Sequence, residues 1–203
     1  DRAGIVGEDG PTHTGSFDIS FMRCIPNIVI SCPSNEHELW HLLNICYEHK
    51  GPAAIRYPRG SGIGVKPIPN EIEGFEIGKA KKIKDGQSVC ILNFGVLMDQ
   101  IDQIAEKKDY TLYDMRFIKP IDEDALEHAM QHETIITLED NTLLGGCGSA
   151  IGEKLHKQKF KGNLLSIGLK DEFPAHGSRN EILRQNGLDE ESIQKTIDDF
   201  LRN

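Results

Sequence analysis

The apolar positions of the chain fall into short β-branched runs separated by stretches with helical spacing, and the switches between the two periods outline its elements. Phe17–Met22 predicts a short helix with one apolar side, and Asn27–Ser31 a buried strand. Pro33-Ser34 then opens a helix, with Ser34 as N-cap and Glu36 and Glu38 in the positively polarised first turn. Leu39, Leu42, Leu43 and Cys46 recur at helical spacing and predict its inner face. Gly51-Pro52 breaks this helix, and Ala53–Tyr57 returns as a strand. Strand, helix, strand with short connections is a βαβ unit, for which parallel pairing is expected. Two strands cannot cover both faces of a parallel sheet, so residues 1 to about 60 read as half a domain whose remainder lies upstream.

Gly62, Gly64, Pro67 and Pro69 punctuate the stretch from Ser61 to Glu73. The division expected is a first unit at 1–64, a linker at 65–73 and a second unit at 74–203. In the second unit, Gly78–Ile83 and Ser88–Leu92 flank Lys84-Asp85-Gly86-Gln87, a hairpin pattern. Gly95–Lys107 is helical, with Val96, Ile101, Ile104 and Ala105 on or near one face. Strands at Thr111–Met115, Thr134–Leu138 and Leu164–Ile167 alternate with helices. One helix runs from Pro120 through Gln131, opened by Asp122, Glu123 and Asp124, and the others are Gly148–Lys157, Arg179–Gln185 and Glu190–Leu201. The last has Asp189 as N-cap, a Leu188/Ile193 staple and an inward stripe of Ile193, Ile197, Phe200 and Leu201. The alternation makes this unit a second α/β domain.

Composition narrows the classes. With 38% hydrophobic and 27% charged residues the chain has material for an ordinary core. A net charge of −9 argues against nucleic acid or an anionic membrane as partner. No apolar run is long enough to span a bilayer, and the polar, glycine-rich start is unlike a signal peptide, so a cytoplasmic protein is expected. Cys24, Cys32, Cys46, Cys90 and Cys147 are odd in number and form no C-x-x-C pair, a pattern of reduced thiols and not of a disulfide frame or zinc site. The start at Asp1, inside a functional-looking loop and without an initiator Met, reads as a piece of something longer.

The first candidate for chemistry is that loop, DRAGIVGEDGPTHTGSFD. It sets Arg2, Asp9 and His13 among Gly4, Gly7, Gly10, Pro11 and Gly15, the composition of a shaped loop. Arg56-Tyr57-Pro58-Arg59-Gly60 ends the second strand and offers a further arginine, Arg59. Two arginines on loops at strand ends suit an anion clamp, since the guanidinium fork holds phosphate or carboxylate bidentately. Asp9 beside His13 suits tautomer control of an imidazole that titrates near neutrality. A solvated connector with incidental charges has the same composition, so both readings stand at this level. A second candidate, Glu139-Asp140-Asn141 followed by Gly145-Gly146-Cys147-Gly148-Ser149-Ala150-Ile151-Gly152, sits between a strand and a helix. Its G-x-G-x-x-x-G spacing is one residue too long for a dinucleotide fingerprint, so glycines packing a helix on a sheet, with an inert Cys147, read better. The i,i+4 pairs His37/His41 and His128/His132 lack the glutamate of an H-E-x-x-H metal site and read as solvated or half-buried histidines. His176 lies on the loop Phe173–Gly177.

Together the strings DRAGIVGEDGPTHTGSFD, RCIPN, PSNEHEL, GPAAIRYPRG, ILNFG, YDMRFIKPID and EDNTLLGGCGSAIGE resemble the C-terminal portion of the 1-deoxy-D-xylulose-5-phosphate synthase family of transketolase-like thiamine diphosphate enzymes. The resemblance runs along nearly the whole chain and weakens at DEFPAHG, from which nothing is carried over. It implies an α/β fold in which the latter part of a parallel-sheet pyrimidine-binding domain precedes a transketolase C-terminal-type domain with a mixed sheet. It further implies an enzyme, a transketolase-type transferase condensing pyruvate with glyceraldehyde 3-phosphate with release of CO2, toward isoprenoid, thiamine and pyridoxal precursors. Arg2 and Arg59 would hold the aldehyde's phosphate, and Arg2, Asp9 and His13 would surround the pyruvate-derived group. Thr14 and Ser16 are ordinary variants beside His13. The family's metal and diphosphate motif, its activating glutamate and its ring-stacking aromatic lie upstream. Thiamine diphosphate and Mg2+ would therefore be held by the N-terminal part of the same enzyme, a homodimer, and this portion alone would bind neither and be inactive. The rival readings are the β-subunit of a 2-oxoacid dehydrogenase, which shares the domain order but fits DRAG and YPRG less well, and a non-catalytic dimerisation or regulatory module.

Overall fold

The computed structural model describes residues 2–70 and 74–202. The opening loop contains one 3-10 turn, Gly7–Asp9, and leads into helix α1 (Asp18–Met22). Strand β1 (Val29–Ser31), helix α2 (Glu36–Glu48) and strand β2 (Ala53–Ile55) form the expected βαβ unit, the strands parallel with Val29 opposite Ala53. Two details of α2 differ from expectation. Its N-cap is Asn35, whose side chain accepts from the Glu38 N–H at 3.0 Å, because the Ser34 hydroxyl instead donates to buried Asp114. Leu42 and Cys46 face inward, but Leu39 is half-buried and Leu43 exposed, whereas His37, Glu38 and His41 are buried. The second half of the chain packs on this polar side of α2, which apolar periodicity cannot reveal.

The remaining elements are β3 (Lys81–Lys84), β4 (Val89–Phe94), α3 (Met98–Lys108), β5 (Thr111–Asp114), β6 (Phe117–Lys119), α4 (Glu123–Ala129), β7 (Thr134–Thr142), α5 (Cys147–Lys157), β8 (Asn163–Leu169), α6 (Arg179–Gln185) and α7 (Glu190–Arg202). Five strands make a mixed sheet in the order β3-β5-β4-β7-β8, parallel except for β3 at the edge. The expected β3–β4 hairpin does not form. Strand β5 lies between them, with Lys82 opposite Tyr113 and Cys90 opposite Thr111. Burial explains the order: β4 is buried along its whole length and belongs inside the sheet, while lysine-rich β3 suits a solvated edge.

Strand β6 was absent from the pattern. It follows Arg116, a non-glycine residue at φ 55°, and pairs antiparallel with β1, giving a three-stranded sheet β2-β1-β6 to which both halves of the chain contribute. Strand β7 runs beyond Leu138 through Glu139, Asp140, Asn141 and Thr142, all buried. The five-stranded sheet is covered on both faces. One side holds Ile101, Ile104, Ile182, Ile193 and Ile197 from α3, α6 and α7; the other holds Ile19, Ile30, Leu126 and Ile151, so α1 and β1 share a core with α4 and α5. Asp189 caps α7 as expected; α4 is shorter than the expected Pro120–Gln131, with Asp122 as its N-cap, and Leu201 at the end of the α7 stripe is exposed. No helix among the described residues is long and apolar enough to cross a membrane.

Candidate functional site

The opening loop is fastened to the strand end after β2. The Ala3 N–H donates to the Tyr57 carbonyl at 2.9 Å, and Gly4 and Gly15 exchange N–H···O bonds at 3.1 Å. Beneath them Arg56 is fully buried and ion-paired through Nη1 with Asp140 of β7. Its Nη2 donates to the carbonyls of Asp140 (2.9 Å) and Gly15 (3.1 Å), and its Nε lies 3.4 Å from Asp18 Oδ2. Burial works against the guanidinium charge, but Asp140 and Asp18 outweigh it and raise its pKa. Burial likewise pushes the Asp18 carboxyl up, against the pull of Arg56. Gly4 must be glycine here: it sits at φ 63°, and a Cβ would lie 2.1 Å from Asp140 Oδ2. Arg56 of the YPRG pattern is therefore the structural cation, and Arg59 the one left at the surface.

Arg59 is 52% exposed and approaches Asp9 Oδ2 at 2.8 Å through its Nε. Asp9 belongs to the 3-10 turn of the opening loop. Arg2, half-buried at φ 65°, adjoins the Ala3–Tyr57 hydrogen bond on the same strand end. The structure thus brings Asp9 and Arg59 together and anchors Arg2 on the same strand end. His13 stands apart: it is exposed, with its Nδ1 2.9 Å from Thr12 Oγ1, so the aspartate expected to orient it holds Arg59 instead. Arg59 faces a cavity of about 270 Å³ bounded by Asn35, Leu39, Tyr57, Gln100 and Arg179 among others. Gln100 and Arg179 went unnoticed in the sequence because neither belongs to a motif, and only tertiary packing places them here.

The second candidate is closed. Glu139 accepts the Cys147 N–H on Oε2 and the Gly148 N–H on Oε1, both at 2.8 Å, so the start of α5 carries its own buried carboxylate. A Cβ on Gly148 would lie 2.4 Å from Ser166 Oγ, which makes it a glycine of helix–sheet packing. Burial raises the Glu139 carboxyl to about 7 despite those two bonds and Arg56, and it lifts the Cys147 thiol far above its usual range, leaving an inert sulfur. The histidine pairs have local partners. His37 and His41 are buried, contrary to expectation, because Phe75 stacks on His41 with ring centroids 4.3 Å apart. His132 Nε2 lies 2.8 Å from Thr111 Oγ1, and His128 Nδ1 3.0 Å from the Tyr113 hydroxyl. Among the described residues no group of three or more His, Cys, Asp or Glu side chains is placed to hold a metal ion.

Below the cavity the two halves meet through Arg116, which donates from Nε and Nη2 to the two oxygens of Glu38 at 2.7 and 2.9 Å and stacks over Phe75, 4.0 Å from its centroid. Asp114 accepts the Ser34 hydroxyl at 2.5 Å and the Arg116 N–H at 3.2 Å. Burial, then the Glu38 charge, raises its carboxyl to about 7. A carboxyl raised in the folded state stabilises fully below its unfolded pKa, about 4, and that stability is lost as pH rises through 7. Asp114→Asn, which mimics the protonated acid, should therefore be more stable than the parent at pH 8 and lose that advantage at pH 4. The difference is on the order of 4 kcal/mol, and thermal melts at the two pH values read it. A difference independent of pH would mean that Asp114 is ionised throughout.

Residues 1–63 match the family model "Transketolase, pyrimidine binding domain", and residues 78–193 match "Transketolase, C-terminal domain". The chain belongs to the transketolase family. Along its full length it is 45% identical to the 1-deoxy-D-xylulose-5-phosphate synthase of Idiomarina loihiensis and 49% identical to that of Mannheimia succiniciproducens, covering 32% and 33% of those proteins. It thus spans about a third of the curated relatives it matches, and corresponds to their C-terminal portion. A split-gene transketolase solved as an inactive β4 tetramer superposes with a TM-score of 0.82 at 23% identity, over 97% of this chain and 64% of that one. The transketolase of Campylobacter jejuni gives 0.64 at 17% identity, over 96% and 30%. These likenesses establish the fold. Transketolases and deoxyxylulose-phosphate synthases use thiamine diphosphate, and the residues described here do not fit a site for its diphosphate and metal. The glycine-rich start of α5 is filled by Glu139, and no cluster of metal ligands is present among the described residues.

Proposed function

We propose that this chain is the C-terminal portion of a synthase that condenses pyruvate with glyceraldehyde 3-phosphate, and that its own contribution is the acceptor-binding side of the active site. The observation that carries this reading is Arg59: a half-exposed guanidinium on a cavity at a strand end, steadied by Asp9 through Nε. That contact leaves the terminal fork as the natural ligand of a phosphate dianion, and Arg2 on the same strand end supplies a second cation. His13, exposed on the opening loop, is the imidazole available for proton transfer on the pyruvate side. We divide the chain at 1–64 and 74–203, in keeping with family matches that end at 63 and begin at 78. The whole enzyme is read as a cytoplasmic homodimer, on the resemblance to its family.

The reading is tested in the whole enzyme by the kinetics of Arg59→Ala with phosphorylated and unphosphorylated acceptors. A second expectation concerns the cofactor. The 203-residue chain should not bind thiamine diphosphate with Mg2+ at micromolar affinity, since Glu139 occupies the amides at the glycine-rich start of α5 and the described residues hold no metal-ligand cluster. Calorimetric titration checks this, and tight Mg-dependent binding would overturn the assignment of the cofactor site to the upstream part.

A further inference from the structure

We propose that Arg179 and Gln100, from the second unit, complete the acceptor site: Arg179 as a further cation on the phosphate and Gln100 as the acceptor for a substrate hydroxyl. The proposal deepens the acceptor-site reading and rests on it. Arg59 and Arg179 line one cavity, of about 270 Å³. Gln100 lines it too, and Arg179 Nε and Gln100 Oε1 are both shielded from solvent without a hydrogen-bond partner among the described residues. A donor and an acceptor left unpaired beside one cavity are costly, and native structures keep such groups chiefly where something else satisfies them. A small phosphorylated hydroxy-aldehyde does so, offering anionic oxygens to one and a hydroxyl to the other.

The fold ties the two arginines to a single turn. A Cβ on Gly7 would lie 3.1 Å from the Arg179 backbone nitrogen, and one on Gly10 would lie 2.3 Å from His176 Cδ2. The turn Gly7–Asp9 is thus seated on the loop that begins α6, and the Asp9 in that turn holds Arg59 at 2.8 Å. Glu36 and Asp99 line the cavity too. The Glu36 carboxylate is occupied by the N–H groups of Gly64 (2.7 Å) and Val65 (3.3 Å). Burial raises the Asp99 carboxyl while the Arg179 charge lowers it, so Asp99 is the counter-charge with which an incoming anion competes. Leu39, Tyr57, Ile63 and Val96 close the cavity with apolar surface. Its volume lies just below the roughly 300 Å³ at which drug-sized sites begin, which favours a small metabolite.

The test uses the whole enzyme and reads the ratio of kcat/KM for glyceraldehyde 3-phosphate to that for D-glyceraldehyde. Arg179→Gln should lower this ratio tenfold or more and weaken competitive inhibition by inorganic phosphate by a similar factor. Arg179→Lys should restore part of it, because a point charge replaces the fork. Asp99→Asn, which removes the competitor, should raise the ratio. If Arg59→Ala collapses the ratio and Arg179→Gln leaves it, this inference is overturned and the phosphate reading of Arg59 stands. If neither changes it, the acceptor-site reading itself has failed. Equal loss with both acceptors in Arg179→Gln would make Arg179 structural and overturn the inference. Should Arg179→Gln not fold, Asp99→Asn decides: a ratio that is unchanged or lower refutes the competition.

Discussion

Asp140→Ala is expected to destabilise the chain by roughly 3–5 kcal/mol, because it strands the buried Arg56 guanidinium without its main counter-charge. For a protein of this size that is a fall in melting temperature of roughly 6–20 °C. The remaining partner, Asp18, lies 3.4 Å from Nε and is itself disfavoured as an anion by burial. The damage should be directional. Arg56 also holds the Gly15 carbonyl, so the opening loop should lose order first, and amide exchange of Ala3, Gly4 and Gly15 should accelerate ahead of that in β4 and β7. Asp140→Asn keeps an acceptor for the fork and should cost less. A loss under about 1 kcal/mol for Asp140→Ala would show that the pair contributes geometry without net stability, as replaceable buried ion pairs can.

The second large effect is on catalysis. Arg59→Ala in the whole enzyme should cost about 2–4 kcal/mol of acceptor binding, a loss in kcat/KM on the order of 30- to 1,000-fold for glyceraldehyde 3-phosphate. Arg59→Lys should recover only part, since an ammonium cannot match two phosphate oxygens at once. Asp9 enters indirectly. Because its carboxylate steadies Arg59 at 2.8 Å, Asp9→Asn should raise KM for the phosphorylated acceptor by a smaller factor than Arg59→Ala.

Much of the fold could be read from the sequence, since strongly periodic segments also became buried elements: β1-α2-β2, β4, α3, β7, α5 and the Arg179–Gln185 helix all lie where their patterns place them. The failures share a cause. Strand β6 is three residues long and is recruited by β1 from the other half of the chain, so no local signal marks it. The β3–β4 hairpin looked right by turn chemistry, but the demand of β4 for burial on both faces brought β5 between them. His37 and His41 depart from the solvated or half-buried expectation because Phe75 and the Glu38–Arg116 pair cover a side of α2 that its own apolar stripe does not point to.

The candidate site was readable in part for a similar reason. Arg2, Asp9 and Arg59 stand on loops whose glycines advertise a shaped backbone, and two of them, Asp9 and Arg59, do meet. The same strings also hid their division of labour. Arg56 and Asp140, which look as functional as their neighbours, fasten the loop to β7, and the acid beside His13 in sequence turns to an arginine fifty residues away. Gln100 and Arg179 needed the packed structure, because only tertiary packing brings α3 and the start of α6 to one cavity.

The central claim, that this chain presents Arg59 to the phosphate of the acceptor, is tested most directly by comparing acceptors with the Arg59→Ala enzyme. The expected result is a loss of at least 30-fold, on the order of 2 kcal/mol, in kcat/KM with glyceraldehyde 3-phosphate and little change with D-glyceraldehyde. His13→Ala should instead impair both. Equal losses with the two acceptors in Arg59→Ala would contradict the claim and leave Arg59 as a residue that merely closes the strand end.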